Sequence, residues 1–403
     1  MASRSLAARA AGRLRRRVRT RTLAPALAAF EAVERLTRDG PAPLVAGAAD
    51  AAERERLDVA VVIPWYPPGS GGHGTIFELV RGLEARGHAC SVWLDDPEGR
   101  HAQLTDAQAG AELRALFGGC AGPIHVGFRA WSGADVVLAT SWPTAYRVQL
   151  LPGCRARAYL VQDHEPEFHA TSAESTWAAT TYRAGLHCIA ASGWLAELLR
   201  ERYGAQATHF DLGVDGRVYR DRGIPRRDDQ VLFYARASTE RRAVPLGLLA
   251  LAELHRRRPD VELALFGLDA RMRTPFPHRH LGRLTDAALA DAYAHATAGL
   301  VLSLTNPSLV PLEMLACGLP CVDVEVPSTH AELAPSGGVE LAAFDPLALA
   351  DALGRMLHDP ALRERRRQAG AAWAAERTWP RAAEQVEAGL RAALSARGAA
   401  RGC

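Results

Sequence analysis

Lysine is missing from this chain of 403 residues, in which all 48 basic residues are arginine. Any cationic role in binding or catalysis must therefore fall to an arginine. The formal net charge of +3 is too small to indicate a nucleic-acid partner for the chain as a whole. The longest uncharged stretch, 292–312, includes His295, Asn306 and two prolines, so we expect no transmembrane helix.

Disulfide and metal-site patterns are also missing. The seven cysteines are odd in number and form neither a disulfide framework nor a CxxC pair, which favours a reducing cytosol. Cys317 and Cys321 are four positions apart, but no second Cys/His pair completes a zinc site. We therefore predict no metal.

The N-terminal segment is rich in arginine, with eight in residues 1–22 and no acid before Glu31. It lacks the apolar core of a secretory signal. From Leu23, apolar residues recur at helical spacing, so 1–50 is predicted to be a basic arm followed by an amphipathic helix. Residues 1–36 would then either touch anionic lipid or form a solvated tail and a packing helix. Both interpretations stay open.

Length and apolar content favour two domains, since 403 residues with 48% apolar side chains exceed one compact core. Strand and helix patterns alternate along the chain, which predicts an α/β fold with parallel sheets. Residues 216–229 are charged and lose this periodicity. These patterns predict an N-terminal domain 51–217, a linker 218–229, a C-terminal domain 230–378, and a final helix and tail 379–403.

The first βαβ unit contains a glycine-rich loop. A strand over 57–65, a helix over 75–86 and a strand over 90–94 frame Gly69-Ser70-Gly71-Gly72-His73-Gly74, which matches the dinucleotide fingerprint GxGxxG. A dehydrogenase is therefore an alternative. However, Tyr66-Pro67-Pro68 separates the strand from the first glycine, so we favour a longer loop whose amides near Gly71 and Gly72 reach a phosphate or sugar.

Polar residues follow the predicted strand that begins at Arg157. The run from Gln162 to Phe168 is the densest polar cluster of the N-terminal half, and ligands bind at the carboxyl ends of parallel strands. Asp163 and Glu165 are our candidates for groups on the acceptor side. The alternative is that they cap the following helix and orient the loop.

In the C-terminal half, Ser303–Pro320 reads as strand, loop and helix. We expect the helix to begin at Pro311 and to end before Gly318, and we expect free amides from about Ser308 to Leu312 to favour phosphate. Glu313 is placed to accept hydrogen bonds from hydroxyls such as those of a ribose. The pattern predicts a nucleoside diphosphate site, although an ordinary strand-turn-helix with a surface Glu would look the same.

The segment NPSLVPLEMLACGLPCV, residues 306–322, resembles the donor-binding segment of retaining glycosyltransferases of family four, which have the GT-B fold. The closer resemblance is to the WsaF-type rhamnosyltransferases and covers most of residues 57–380, most weakly between 96 and 134. It rests on this segment, on PWYPPGSGGH at 64–73, and on Gln162-Asp163-His164-Glu165-Pro166, in which His164 stands where an aromatic is expected. The resemblance implies two facing Rossmann-like domains with a cleft between them.

The resemblance also implies roles for individual residues. Ala235-Arg236 and Glu240-Arg241-Arg242 correspond to the Gly-Arg and Glu-Lys-Gly of the family, whose basic residues grip the diphosphate. Thr305 stands where the family has a Glu that contacts the transferred sugar. The donor-binding residues that the resemblance implies are Gly71, Gly72, Arg236, Arg242, Thr305, Asn306, Pro307, Ser308, Leu309, Val310 and Glu313.

The function implied is a retaining glycosyltransferase without a cofactor or metal, which moves a deoxyhexose such as L-rhamnose from dTDP-rhamnose to a growing polysaccharide or glycolipid. Arg236 and Arg241 would stabilise the leaving diphosphate, with the acceptor near Asp163 and Glu165. The protein would work in the cytoplasm or on the inner face of the membrane. Alternatives are a transferase of UDP- or GDP-hexose, a sugar-nucleotide 2-epimerase, and a noncatalytic protein that binds glycan or lipid phosphate.

Overall fold

The computed structural model of the protein describes residues 30–227, 229–237, 239–268 and 270–399, with side chains up to residue 396. The predicted basic arm, 1–22, and the first part of the predicted amphipathic helix, 23–29, lie outside the described residues. The described part that follows them begins with α1 (Glu31–Asp39), which overlaps the predicted amphipathic helix. None of the described helices is long and apolar enough to cross a membrane.

The first sheet has seven strands in the order β3-β2-β1-β4-β5-β6-β7. Strand β1 is buried along most of its length and pairs in parallel with both β2 and β4, as in a doubly wound sheet. The strands are β1 (Asp58–Pro64), β2 (Ala89–Asp95), β3 (Ile124–Val126), β4 (Ala134–Ala139), β5 (Cys154–Val161), β6 (His187–Ala190) and β7 (Ala207–His209).

The second sheet has six strands in the order β10-β9-β8-β11-β12-β13. Strand β8 again lies centrally, in parallel with β9 and β11. The strands are β8 (Gln230–Tyr234), β9 (Glu262–Phe266), β10 (Arg279–Gly282), β11 (Ala298–Leu300), β12 (Cys321–Val324) and β13 (Val339–Ala342). The predicted α/β class with two Rossmann-like parallel sheets is confirmed.

Helices connect these strands. They are α2 (Ala48–Ala52), α3 (Gly71–Ala85), α4 (Asp106–Phe117), α5 (Trp142–Gln149), α6 (Ala173–Thr181), α7 (Gly193–Tyr203), α8 (Val244–Arg257), α9 (Asp286–His295), α10 (Leu309–Ala316), α11 (Pro327–Leu333), α12 (Pro346–His358), α13 (Pro360–Ala375) and α14 (Trp379–Ala399). Short 3-10 turns are formed by Glu165–Phe168, Glu240–Arg242 and Ala334–Ser336.

The chain forms two compact units. The second unit is Val161–Gly389, and the first unit comprises the described residues on either side of it. Within the second unit, an isolated parallel bridge pairs Val214 with Thr378, and the amide of Val214 donates to the carbonyl of Arg377 at 3.0 Å. The predicted domain boundaries stay a prediction.

Two helices begin earlier than predicted. Helix α3 begins at Gly71 rather than Thr75, because the hydroxyl of Ser70 accepts from the amide of His73 at 3.4 Å and caps the helix there. The predicted long glycine loop is therefore wrong, since Gly71 and Gly72 form the first turn of the helix. Helix α10 begins at Leu309 rather than Pro311, and Gly318 follows its end with φ of 68°, as predicted.

Candidate functional site

The carboxylate of Asp163, just beyond β5, joins three segments of the second unit. Its Oδ1 accepts from the amides of His164 at 2.9 Å and Asn306 at 3.0 Å. Its Oδ2 accepts from Arg241 Nε at 2.9 Å and from the hydroxyl of Thr305 at 3.0 Å. Four donors therefore converge on a side chain that is only 5% exposed.

This arrangement defines what Asp163 can do. A carboxylate offers about four lone-pair positions, and here four donors use them. Asp163 is thus suited to holding other groups in position. Although the sequence placed it on the acceptor side, it contacts Arg241 and Thr305 of the expected donor side.

Arg241 is held so that an anion can reach it. Its Nε is bonded to Asp163, and its guanidinium lies 4.0 Å from the centroid of the Phe168 ring. The side chain remains 26% exposed. Because only Nε is used by a carboxylate among the described residues, the two Nη groups are available for an oxyanion.

Arg242 points the other way. It is 6% exposed, and its Nη1 lies 3.3 Å from the hydroxyl of Ser303. Burial lowers the pKa of Arg242, and it raises the pKa of nearby Asp323 to about 7. Arg242 therefore lies beneath the loop that begins at Ser303. It contacts that loop from inside, and its predicted role in donor binding stays a prediction.

Arg236 follows the end of β8 and is partly exposed. Its carbonyl accepts from the amide of Thr239 and closes the turn that leads to Arg241. Ala243 follows the two arginines with φ of 40°, a left-handed conformation that is costly for a residue with a Cβ. This left-handed residue ends the 3-10 turn that carries the two arginines and leads into α8.

The loop between β11 and α10 is fixed by hydrogen bonds on several sides. Asn306 donates from Nδ2 to the carbonyls of Gln162 and Ala191, both at 3.1 Å, and accepts from the hydroxyl of Ser192 at 2.8 Å. The carbonyl of Thr305 accepts from the hydroxyl of Ser328 at 2.7 Å. The start of α10 is consequently held rigidly next to Asp163 and Arg241.

Helix α10 begins immediately after this loop. Amides in the first turn of an α-helix have no partner within the helix, and the helix dipole adds partial positive charge there. Ser308, Leu309 and Val310 provide these amides, and Pro307 precedes them. With Arg241 bonded to the same carboxylate as Thr305, this end of the helix can bind a diphosphate.

Glu313 lies on α10 and is partly buried. Burial raises the pKa of its carboxyl to about 8, and the carboxylate of Asp286 adds to the effect. The group is therefore mostly protonated at neutral pH. In that form it can both donate to and accept from the hydroxyls of a ribose.

Glu165 and His164 are buried in the same segment as Asp163. The amide of Glu165 donates to the hydroxyl of Tyr182 at 3.1 Å. The ring of His164, 1% exposed, lies between the hydroxyl of Tyr203 at 2.7 Å and Glu167 at 3.0 Å. His164 thus fills the place of the expected aromatic residue and links the segment to α7.

The remaining predicted site residues, Gly71 and Gly72, belong to the first unit. A Cβ added at Gly71 would meet no atom within 4 Å, so this end of α3 is open. Sequence reasoning did not identify Phe168, Ser303 or Asp323. Phe168 ends the polar run and Ser303 begins the strand-loop-helix stretch that the sequence did mark, whereas Asp323 carries no local signal. In the described part of the chain, no group of three or more His, Cys, Asp or Glu side chains is placed to hold a metal ion.

Comparison with known proteins extends this description. The family model for the WsaF C-terminal domain matches residues 229–354. The O-antigen biosynthesis protein RfbC of Myxococcus xanthus is 31% identical over 346 residues, 81% of this chain. The chain spans 26% of the length of that protein. A phosphatidyl-myo-inositol mannosyltransferase of Mycobacterium tuberculosis is 27% identical over 82% of this chain and 95% of that protein.

The fold is shown by similarity to the solved structure of HepE from Anabaena in complex with UDP-glucose. The two structures align over 84% of this chain and 100% of the HepE chain, with a TM-score of 0.59 and 14% sequence identity. The protein has the GT-B fold. The fold expected from the resemblance is thereby confirmed.

Proposed function

We propose that the protein is a glycosyltransferase of the GT-B type that transfers a deoxyhexose, L-rhamnose, from dTDP-rhamnose to a growing polysaccharide or glycolipid. Support for transfer comes from the similarity to an O-antigen biosynthesis protein and to a mannosyltransferase. Support for rhamnose comes from the match of residues 229–354 to the WsaF C-terminal domain and from the resemblance of the three sequence segments.

One observation carries the proposal. Asp163 Oδ2 binds both Arg241 Nε and the hydroxyl of Thr305, so an arginine with free Nη groups is held beside the loop that leads into α10. An arginine and a helix N-terminus held together form a site for two phosphates. A dinucleotide site would instead need its phosphate at the glycine turn after β1, which lies in the first unit.

In the proposed reaction, the bond between the anomeric carbon and the diphosphate breaks, and negative charge develops on the leaving diphosphate. Arg241, Arg236 and the amides of Ser308 to Val310 stabilise that charge, as a divalent cation does in other enzymes. Glu313 holds the ribose. Asp163 fixes Arg241 and Thr305. The oxygen of the acceptor hydroxyl, proposed to lie on the side of Glu165, bonds to the anomeric carbon, and its proton passes to the departing diphosphate. We propose no cofactor for this reaction.

Two alternatives have support of their own. HepE was solved with UDP-glucose, which favours a UDP-hexose donor; a GDP-hexose is the related option. Thr305 stands in place of a Glu and already donates its hydroxyl to Asp163, which favours a noncatalytic glycan-binding protein. We also propose that the protein works in the cytoplasm, at the inner face of the membrane.

The test is thermal stabilisation of the purified protein by TDP-rhamnose, TDP, UDP, GDP and NAD, because a ligand that binds the folded state raises its stability. We expect TDP to raise the midpoint of thermal unfolding and TDP-rhamnose to raise it further. A rise with UDP or GDP instead would indicate a different donor, and a rise with NAD alone would contradict the proposal. If no nucleotide raises the midpoint, the noncatalytic alternative is favoured.

A further inference from the structure

A buried carboxyl group lies beneath the loop that leads into α10. Asp323, on β12, is fully buried, and its Oδ1 accepts from the amides of Ser303 and Val324, both at 2.8 Å. Its Oδ2 is buried and forms no hydrogen bond with the described residues. A proton can therefore be added to Oδ2 while both amides stay bonded to Oδ1. The reaction proposed above gives this group no role.

Arg242 approaches the same place from the 3-10 turn. Its Nη1 lies 3.3 Å from the hydroxyl of Ser303, so Asp323 holds Ser303 by its amide and Arg242 holds it by its hydroxyl. Burial raises the pKa of Asp323 to about 7, although the two amide bonds and the charge of Arg242 act in the opposite direction. Asp323 therefore exchanges its proton near neutral pH.

Other groups face this pair. The thiol of Cys321 lies on the same face of β12 as Asp323, and burial raises its pKa, so it stays uncharged. Glu340 of β13 is in register with Val322 and so lies on the opposite face of the sheet. Several charged or titratable groups act on Arg242, namely Asp323, Asp163, Arg241 and Tyr234. Burial thus places the titration of Asp323, within this cluster, near neutral pH.

The loop above this carboxyl is bonded to the arginine turn at three successive residues. The bonds join the hydroxyl of Ser303 to Arg242, the amide of Leu304 to the carbonyl of Arg241 at 3.1 Å, and the hydroxyl of Thr305 to Asp163, which also binds Arg241. A change at Ser303 therefore reaches the guanidinium of Arg241 and the start of α10. These are the groups proposed to bind the diphosphate.

A bound diphosphate would add negative charge on the outer side of this loop. Negative charge disfavours a second negative charge nearby, so it favours the protonated form of Asp323. The positive charge of Arg242 is then no longer offset by Asp323 and attracts the diphosphate. Because such coupling is reciprocal, the diphosphate binds more tightly when Asp323 is already protonated.

We propose that Asp323 is a positioning residue, which takes up a proton when a diphosphate binds and so lets Arg242 hold Ser303 and its loop against the anion. The proton comes from solvent and is added to Oδ2. As pH rises through about 7, free Asp323 becomes ionised and affinity for the diphosphate falls. The inference rests on the proposed diphosphate site, but not on the nucleoside or the sugar of the donor.

The experiment measures dissociation constants of TDP and of inorganic pyrophosphate between about pH 5 and 9 by isothermal titration calorimetry. The test variant is Asp323→Asn, which keeps an oxygen for the two amides and cannot ionise. Glu384→Gln, which removes an exposed carboxyl of the same unit, is the matched control. Ionisation of the ligand and of Glu313 is common to all three proteins and cancels when they are compared. Thermal unfolding checks that each variant is folded.

We expect the dissociation constant of the original protein, divided by that of Asp323→Asn, to rise about fivefold from the acid to the alkaline end of this range. Glu384→Gln should follow the original protein at every pH. A purely structural role of Asp323 would change affinity by the same factor throughout. Parallel pH profiles of the original protein and Asp323→Asn would therefore overturn the proposal.

The titration of Asp323 in the original protein gives a second readout that needs no variant to fold. Its carboxyl carbon, followed by NMR in protein with isotope-labelled aspartate, should titrate at a higher pH when pyrophosphate is saturating. An unchanged midpoint overturns the inference, even if TDP-rhamnose binds and the proposed function stands.

The ligands separate this inference from the proposed function. If pyrophosphate binds with the expected pH dependence and TDP-rhamnose does not bind, the inference is supported and the proposed function is contradicted. If neither TDP nor pyrophosphate binds, the inference is overturned together with the proposed diphosphate site.

Discussion

Arg241 and Arg242 are adjacent in the sequence, yet one is a candidate anion ligand and the other supports the backbone. The difference comes from their surroundings, since Asp163 and Phe168 hold the first at the surface and Ser303 buries the second. From the sequence, the pair could be recognised as basic residues near a strand end. Which of the two faces a ligand depends on residues far away in the chain, and no local pattern encodes that.

Replacement of Arg241 by Gln should weaken TDP binding about 10- to 100-fold, because a charge-assisted hydrogen bond to phosphate is lost. Isothermal titration calorimetry measures this directly. Arg365→Gln removes an exposed arginine of the second unit and should bind TDP as the original protein does. Unchanged affinity in Arg241→Gln would remove this residue from the donor site.

Asp163 should act on the donor through Arg241. Asp163→Asn keeps the shape of the side chain but loses the charge that orients the guanidinium, so TDP affinity should fall about tenfold. In a double-mutant cycle, Asp163→Asn should have little further effect when Arg241 is already Gln, since both changes break the same contact. Additive effects of the two substitutions would show that Asp163 also acts through a group other than Arg241, such as Thr305 or Asn306.

At the scale of elements, the sequence predicted the strands that flank the site well, because buried parallel strands have continuous apolar runs. It missed β3, which has only three residues, and α4, whose many small residues give little periodicity. It placed the start of α10 two residues late, since Pro311 is acceptable anywhere in the first turn. Capping by side chains decides such boundaries, and it depends on tertiary contacts.

The end of α10 depends on Gly318. Its φ of 68° disfavours any side chain, and a Cβ there would lie 2.6 Å from Asp221 Oδ2. Gly223 has a φ of 62° but open space around it, so Gly223→Ala measures the backbone cost alone. We expect Gly223→Ala to cost about 1 kcal/mol in urea unfolding and Gly318→Ala about 1 kcal/mol more. Equal costs would show that Asp221 moves aside freely.

The raised pKa of Glu313 makes the stability of the second unit depend on pH. The unfolded chain loses this proton near the usual value for Glu, whereas the folded protein keeps it until pH is about 8. Between these values the folded state binds more protons, so its stability falls as pH rises, by at most about 1.4 kcal/mol per pH unit.

Glu313→Gln removes the contribution of Glu313 to the pH dependence of stability and leaves the contributions of the other titratable groups. The free energy of unfolding of Glu313→Gln, measured in urea, should therefore rise relative to that of the original protein as pH increases from about 5 to 8. Asp323, whose pKa is also raised, is present in both proteins and cancels in the comparison. If the difference in unfolding free energy between the two proteins were constant across that pH range, Glu313 would be ionised in the folded state.

At the scale of the whole molecule, the charge is unevenly distributed: eight arginines fall in residues 1–22, although the net charge of the chain is only +3. If this segment binds anionic lipid, flotation with phosphatidylserine vesicles should recover the full chain and leave a chain that begins at residue 23 behind. Neutral vesicles serve as the control, and added salt should abolish binding. Equal flotation of both chains would exclude a membrane role for the arm.

The bridge between Val214 and Thr378 brings together two points that are far apart in sequence. The chain leaves the end of the first sheet at the place to which it returns before α14, so everything between forms a closed excursion. Residues 229–354, which match a single family model, lie inside it. The excursion also contacts residues that precede it, since Arg241 and Asn306 donate to Asp163 and Glu332 accepts from Trp194. A relative's excursion could therefore replace this one only if it brought matching partners for Asp163 and Trp194 as well as a matching junction.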